Sequence, residues 1–230
     1  MQLPEEQARE TIDQLLKEAG WTIQDRDAFD RKAALGVAVR EFSLPAGFTD
    51  YLLFIEGKAA GVIEAKKAGI TLSAVAEQSS KYMTALPEHL ARWDDLLVYD
   101  YESTGEETYF SNLHDPKPRS RRLFAFHRPE TLLDWLRQPD TLRERLRNMP
   151  PLDSRGLRDC QVEAIQGLEK SLAEDRPRSL IQLATGAGKT FTACSFSYRL
   201  IKHADTKRIL FLVDRNNLGD QTLKEFQNFQ

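Results

Sequence analysis

Cysteine is scarce: Cys160 and Cys194 are the only two in 230 residues, and neither sits in a Cys-x-x-Cys or Cys/His ligand spacing. No disulfide framework and no structural zinc site is implied, and both are expected to be small buried residues in a reducing compartment. Long apolar runs are missing as well. Nothing approaches the roughly 18 apolar residues of a membrane span, and the opening MQLPEEQARE lacks the basic stretch and apolar core of an export signal. A cytoplasmic protein with no membrane partner is the expectation. Charge of one sign is lacking too: 32 basic and 35 acidic residues leave a net charge of -3, so nucleic-acid contact must rest on local groups. Repeats and low-complexity tracts are absent.

The remaining composition, 41% hydrophobic and 29% charged, is that of a globular chain. Its length corresponds to about one and a half domains. Ala8, Ile12, Leu15, Leu16 and Ala19 mark one face of a helix over residues 4–19, with Gly20 as its stop. Strand-like runs follow at Val37–Phe42, Tyr51–Ile55 and Gly61–Ala65, then a helix through Leu72–Leu86. Leu96–Tyr101, Thr108–Asn112 and Leu123–Phe126 read as further strands, and Thr131–Gln138 and Leu142–Asn148 as helices. The Met149-Pro150-Pro151 break predicts a domain boundary near 150. Beyond it, two apolar strands, Ser179–Leu183 and Arg208–Val213, flank a helix, the pattern of a parallel βαβ unit.

Two constellations carry chemistry. In Asp50-Tyr-Leu-Leu-Phe-Ile-Glu-Gly-Lys-Ala-Ala-Gly-Val-Ile-Glu64-Ala-Lys66, a hairpin centred on Gly57 sets Asp50 opposite Glu64, with Lys66 on the same face. Close carboxylates repel unless a cation lies between them. Mg²⁺ suits such oxygens, and an adjacent lysine can orient a nucleophile and neutralise a phosphate under attack. A solvated surface hairpin carries the same letters; placing Glu64 and Lys66 at the end of an apolar strand argues for a role. Downstream, Gln78 and Tyr82 are neighbours on one face of the expected helix.

The second constellation is Ser179-Leu-Ile-Gln-Leu-Ala-Thr-Gly-Ala-Gly-Lys-Thr190. Glycines let backbone N–H groups face phosphate, Lys189 reaches the β- and γ-phosphates, and Thr190 ligates Mg²⁺. Leu183 stands where the strict eight-residue pattern has glycine, so the match is to Thr185-Gly186-Ala187-Gly188-Lys189-Thr190. A separate basic cluster, Lys117, Arg119, Arg121 and Arg122, reads either as a DNA-phosphate contact or as a solvated loop before a strand.

Asp50, Glu64, Lys66 and the Gln-x-x-x-Tyr pair resemble the PD-(D/E)xK nucleases. That resemblance implies an α/β restriction-endonuclease-like domain over 1–150, with Asp50 and Glu64 holding Mg²⁺, Lys66 assisting attack, Gln78 and Tyr82 positioning DNA, and Glu6 assisting from the first helix. The phosphate loop resembles that of superfamily 2 helicases, implying the beginning of a RecA-like P-loop lobe over 151–230. Leu157-Arg158-Asp159-Cys160-Gln161 is similar to the helicase Q motif, where Arg158 and Gln161 would contact ATP, and the segment from Phe211 resembles motif Ia, with Arg215 against DNA.

A nuclease followed directly by such a motor resembles the R subunits of type I restriction endonucleases. The stretches Tyr101-Glu-Ser-Thr-Gly-Glu-Glu-Thr-Tyr-Phe110 and Phe126-His-Arg-Pro-Glu-Thr-Leu132 add to the likeness. It implies cleavage of double-stranded DNA, ATP-driven translocation, and methyltransferase and specificity subunits as partners, with S-adenosylmethionine and the target sequence belonging to those partners. Among the acids after Lys189 (Asp205, Asp214, Asp220 and Glu225) none forms an Asp-Glu-x-x box, so this chain is expected to be a truncated portion that does not itself hydrolyse ATP. A different nuclease-helicase of DNA defence or repair, or a binding module with an inactive nuclease site, are the alternatives.

Overall fold

The computed structural model describes residues 4–45, 47–67, 69, 86–87, 89–176, 178–213 and 216–229. It divides into two units, Met1–Pro139 and Asp140–Gln230.

The first unit begins with α1 (Pro4–Glu18). Ile12 and Leu16 on its inner face are fully buried. The helix ends as a Schellman motif: Trp21 N–H donates to Leu16 O and Gly20 N–H to Lys17 O, each at 3.0 Å. Gly20 has φ 89°, the left-handed conformation that glycine supplies there without a Cβ penalty. Seven strands then form one mixed sheet in sequence order: β1 (Thr22–Asp25), β2 (Gly36–Leu44), β3 (Gly47–Ile55), β4 (Lys58–Ala65), β5 (Tyr99–Ser103), β6 (Thr108–Asn112) and β7 (Arg121–Leu123). The β1–β2 and β4–β5 pairs are parallel and the other four antiparallel.

β3 is buried from Tyr51 through Ile55, so this strand is apolar on both faces. Such a run needs cover on each side. On one face Tyr51, Leu53, Ile55, Ile63, Tyr99 and Tyr101 pack with Ile12 and Leu16 of α1 and with Leu132 and Leu133 of α2 (Pro129–Leu136). On the other, Val37, Val39, Leu52, Phe54, Val62 and Leu97 form a second cluster with Phe29 and Phe42. Each fully buried side chain of this kind contributes about 1.5–3 kcal/mol.

The second unit holds α3 (Leu142–Arg147), α4 (Asp159–Ala173), α5 (Lys189–Ala204) and α6 (Asn216–Asn228). Two arginines of the short α3 serve the ends of longer helices. Arg145 Nε donates to Ala204 O, the last residue of α5, at 2.8 Å, and Arg147 Nε donates to Ala173 O, the last of α4, at 3.2 Å. Cationic donors at helix C-termini satisfy open carbonyls and suit the helix dipole. These contacts tie α3 to α4 and α5, so the break falls at 139/140 rather than near 150.

Other expectations need correction. Ser179–Leu183 and Arg208–Val213 have no regular secondary structure and pair with no strand, and among the described residues the second unit contains no strand, so the expected βαβ ladder is not formed. Apolar letters predict a strand, but a ladder needs a partner to supply its hydrogen bonds. Cys160 is exposed near the start of α4, while Cys194 is buried. β1 was not expected: its Thr-Ile-Gln-Asp sequence has no alternating apolar signal, and it is held at the sheet edge by β2. The helix expected through 72–86 lies largely outside the described residues, which resume at 86–87.

Candidate active site and nucleotide loop

The hairpin that carries the carboxylates is built differently from a symmetric turn on Gly57. Its two-residue turn is Glu56-Gly57, with φ of 49° and 73°, joining Ile55 to Lys58. Alone, that register would displace Glu64 from Asp50. A bulge between Leu53 and Phe54 corrects it: Leu53 pairs with Gly61, Leu52 with Val62 and Tyr51 with Ile63. The ladder ends there, one residue before Asp50 and Glu64. In place of the next rung, Asp50 Oδ2 accepts a hydrogen bond of 2.9 Å from Ala65 N–H, which pins the carboxylate against the end of β4.

The other Asp50 oxygen, Oδ1, accepts from Arg9 of α1 at 2.5 Å, and Arg9 also binds Glu41 at 2.8 Å. Lys66 Nζ donates to Glu64 Oε2 at 2.7 Å. Each expected metal-binding carboxylate is therefore matched with a cation. Burial works against the Lys66 charge, but the hydrogen bond to Glu64 and the charges of Glu64, Asp50 and Glu102 outweigh it, raising the ammonium pKa above its ordinary value. Lys66 is held in its charged form in this arrangement.

Two further residues of this cluster, Arg9 and Glu102, carry no pattern in the sequence that points to them. Glu102 of β5 is the direct register partner of Glu64 across the parallel β4–β5 pair. Burial raises its pKa to about 7, with the charges of Asp100 and Glu64 adding to the effect and Lys66 opposing it. Arg9 had only a helical position as its signal. Glu102 could have been found from the parity of β5, had the pairing of β5 with β4 been known.

Hard oxygen donors with no nitrogen or sulfur ligand fit a small divalent cation such as Mg²⁺. Among the described residues no three His, Cys, Asp or Glu side chains are already grouped as a metal cage. A cation at Asp50 and Glu64 would have to displace Arg9 and Lys66 from them. Glu6 lies in α1, its side chain outside what is described, and Gln78, Tyr82 and Arg215 lie outside the described residues.

In the second unit, Gly186 and Gly188 adopt φ of 79° and 81°, and Gly188 caps α5. This left-handed pair turns the loop into the helix start, so Lys189 and Thr190 open α5, where N–H groups and dipole suit an anion. Lys189 Nζ donates to Ala184 O at 3.2 Å, folding the side chain over its own loop. Gln161 joins α4 to this loop: its Oε1 accepts from Arg158 N–H at 2.9 Å and its Nε2 donates to Ala187 O at 3.0 Å. Arg158 reaches Gly186 O at 2.9 Å. A Cβ at position 188 would run into Gln161 Nε2. Arg158 and Gln161 thus both bind backbone carbonyls of the loop, while Thr185 remains exposed on it.

Comparison with known proteins covers both units. Residues 155–230 match the family model described as type III restriction enzyme, res subunit. The endonuclease subunit of the type I restriction enzyme EcoKI from Escherichia coli K12 is 29% identical over 99% of this chain and 24% of that protein. The chain is homologous to type I restriction enzyme endonuclease subunits over nearly its whole length. A Staphylococcus aureus (strain COL) subunit of the same kind is 27% identical over 78% of the chain and 20% of its own length. The EcoAI subunit of Escherichia coli is 46% identical over 70 residues, 30% of this chain and 9% of that protein. A solved fragment of an HsdR subunit from Vibrio vulnificus aligns with 90% of the chain and 39% of its own, at 19% identity and a TM-score of 0.40. The chain spans about a quarter of the length of its EcoKI relative.

The restriction-subunit homology is consistent with the mixed α/β sheet and with a helicase-like second unit. Of the basic cluster, Arg121 pairs with buried Asp115 at 3.1 Å and Arg122 with Glu107 at 3.0 Å. These two arginines are tied into the β6–β7 region, whereas Lys117 and Arg119 are exposed. No helix among the described residues is long and apolar enough to cross a membrane.

Proposed function

We propose that the first unit is a Mg²⁺-dependent endonuclease of the PD-(D/E)xK type acting on double-stranded DNA. The second unit supplies an ATP-binding loop of a superfamily 2 motor, and the chain serves as part of an R subunit with methyltransferase and specificity subunits, in the cytoplasm. The observation that carries this reading is the meeting of Asp50, Glu64 and Lys66 at one end of the β3–β4 hairpin, with Lys66 bound to Glu64 and Asp50 fixed on Ala65 N–H.

Asp50 and Glu64 are the residues that would hold the ion, which when bound supplies Lewis-acid activation of water and of the phosphate. Asp50 is preorganised by its backbone hydrogen bond through Oδ2, so Oδ1 is already held in place and only Arg9 has to leave it. Lys66, charged and part-buried, is placed to stabilise negative charge on a phosphate oxygen, where reduced screening strengthens its effect. Arg9 held on Asp50 is a second cation available to the DNA backbone once Asp50 turns to the ion. In the second unit, Lys189 would leave the neutral Ala184 carbonyl for the stronger charge of a phosphate, and Thr190 would ligate the accompanying Mg²⁺.

The test is a Lys66→Ala substitution in the full-length subunit assembled with its partners, read by plasmid cleavage and by ATP hydrolysis. Cleavage is expected to fall at least about a hundredfold, the order typical for removal of one preorganised electrostatic group, with ATP hydrolysis retained. Cleavage at the wild-type rate rejects the site assignment.

A further inference from the structure

The charge arrangement around Lys66 leaves one group without a task. Glu102 is 5% exposed, and its Oε1 is buried with no hydrogen-bond partner. An unsatisfied buried carboxylate oxygen costs free energy, so its retention at this point calls for a reason. Its placement is specific. Glu102 stands directly beside Glu64 in the parallel ladder, and opposed residues of neighbouring strands project to the same face. The backbone of Lys66 is stitched to the same strand, its N–H donating to Ser103 O at 2.8 Å. Lys66 and Glu102 lie within electrostatic reach of each other.

We propose that Glu102 is a positioning residue for Lys66, the carboxylate to which its ammonium turns when Glu64 is taken by a divalent cation. This rests on the metal-site reading above. Glu64 Oε2 cannot hold Lys66 at hydrogen-bond distance and also face an incoming ion without bringing the two positive charges together. Lys66 must then let go. Its side chain is only 17% exposed, so water alone would replace the lost partner poorly. Glu102 Oε1 is an open acceptor on the same face, and taking it keeps the ammonium inside the site. Glu102 touches neither ion nor substrate in this scheme and acts through Lys66.

The experiment is Mn²⁺ titration of the nucleotide-free 230-residue chain by calorimetry, with a double-mutant cycle. Asp50→Asn should abolish the site, and Lys66→Met should tighten binding by removing a competitor for Glu64. Glu102→Gln should weaken binding roughly tenfold, the scale of one charge-assisted hydrogen bond, and Glu102→Asp should recover part of the loss. In the Lys66→Met background, Glu102→Gln should change nothing. A loss that persists in that background makes Glu102 a ligand in its own right and overturns the proposal, as does a Glu102→Gln single variant that binds like wild type. Wild-type binding indifferent to Asp50→Asn, or absent, overturns instead the metal-site reading on which the proposal stands.

Discussion

The two units solve the problem of presenting charge in opposite ways. In the first, the charged groups of the candidate site come from distant parts of the chain, Arg9 from α1, Asp50 from β3, Glu64 and Lys66 from β4 and its end, and Glu102 from β5, and strand pairing in a sheet covered by two apolar clusters brings them together. In the second, the glycine-rich loop is one contiguous stretch, braced by a single helix start through Gln161 and Arg158. The apolar inventories differ accordingly. Leu180 is 94% exposed and Leu210 and Leu212 are 82% exposed, so these apolar side chains of the unpaired segments lie outside any core. Beside a few buried side chains such as Leu146, Ile165 and Cys194, that unit is tied by arginines reaching backbone carbonyls. A site assembled by a sheet fails when packing fails; a site made by a loop fails when its polar braces do.

The sharpest way to break this comparison is at Arg199, which is 7% exposed in α5. It forms a two-point pair with Glu169 at 2.5 and 3.0 Å and donates to Pro150 O at 2.6 Å. Arg199→Leu leaves a part-buried carboxylate and an open carbonyl, a loss of about 3–5 kcal/mol. All three tryptophans, Trp21, Trp93 and Trp135, belong to the first unit. Helical circular dichroism should therefore show an early transition in urea while tryptophan fluorescence keeps its wild-type midpoint. Coincident wild-type midpoints for both probes would mean that polar braces do not carry the second unit.

The first unit is tested by pH. His127 shares a 2.8 Å hydrogen bond with the Tyr101 hydroxyl amid Phe110 and Trp135, and burial lowers its pKa to about 4. The unfolded imidazole titrates near 6.5, so between these values only the unfolded chain binds the proton, and stability falls as pH drops from about 6.5 to about 4, by up to about 3 kcal/mol. Glu102 has the opposite sign: burial raises its folded pKa to about 7, so its contribution is present at low pH and fades as pH rises through that value. Relative to wild type, His127→Gln should gain stability as pH falls, and Glu102→Gln should gain it as pH rises. Fluorescence-monitored urea midpoints at pH 4.5 and 7 report both; parallel shifts of either variant with wild type would remove that group from the account.

The same contrast explains what could be read from the letters. α1 and its Gly20 stop, β6, and the loop from Thr185 to Thr190 are written in local spacing, and the structure has them where the spacing says. The pairing of β3 with β4 was legible in its outcome but not its construction, because a bulge at Leu53/Phe54 compensates for an off-centre turn and no residue type announces it. Arg9 and Glu102 are invisible for a different reason: their placement beside Asp50 and Glu64 arises only after α1 has docked and β5 has paired in parallel with β4, and sequence distance conceals both. Residues 179–183 and 208–213 show the converse error, where apolar patterning predicts strands although pairing requires a partner.

The smallest expected effect tests whether α3 is a brace or a passive connector. Its N-cap is Thr141, whose Oγ1 accepts from Glu144 N–H at 3.2 Å. Only six residues long, α3 has little internal stability, and a lost cap should be felt through its whole length. Thr141→Ala should cost about 1 kcal/mol and Thr141→Ser nearly nothing. The informative feature is where that cost falls. If Arg145 and Arg147 hold the ends of α5 and α4, fraying α3 loosens them, and amide exchange should quicken in the last turns before Ala204 and Ala173. Faster exchange confined to residues 142–147 would show instead that the two arginines are decoration on helices that end well without them.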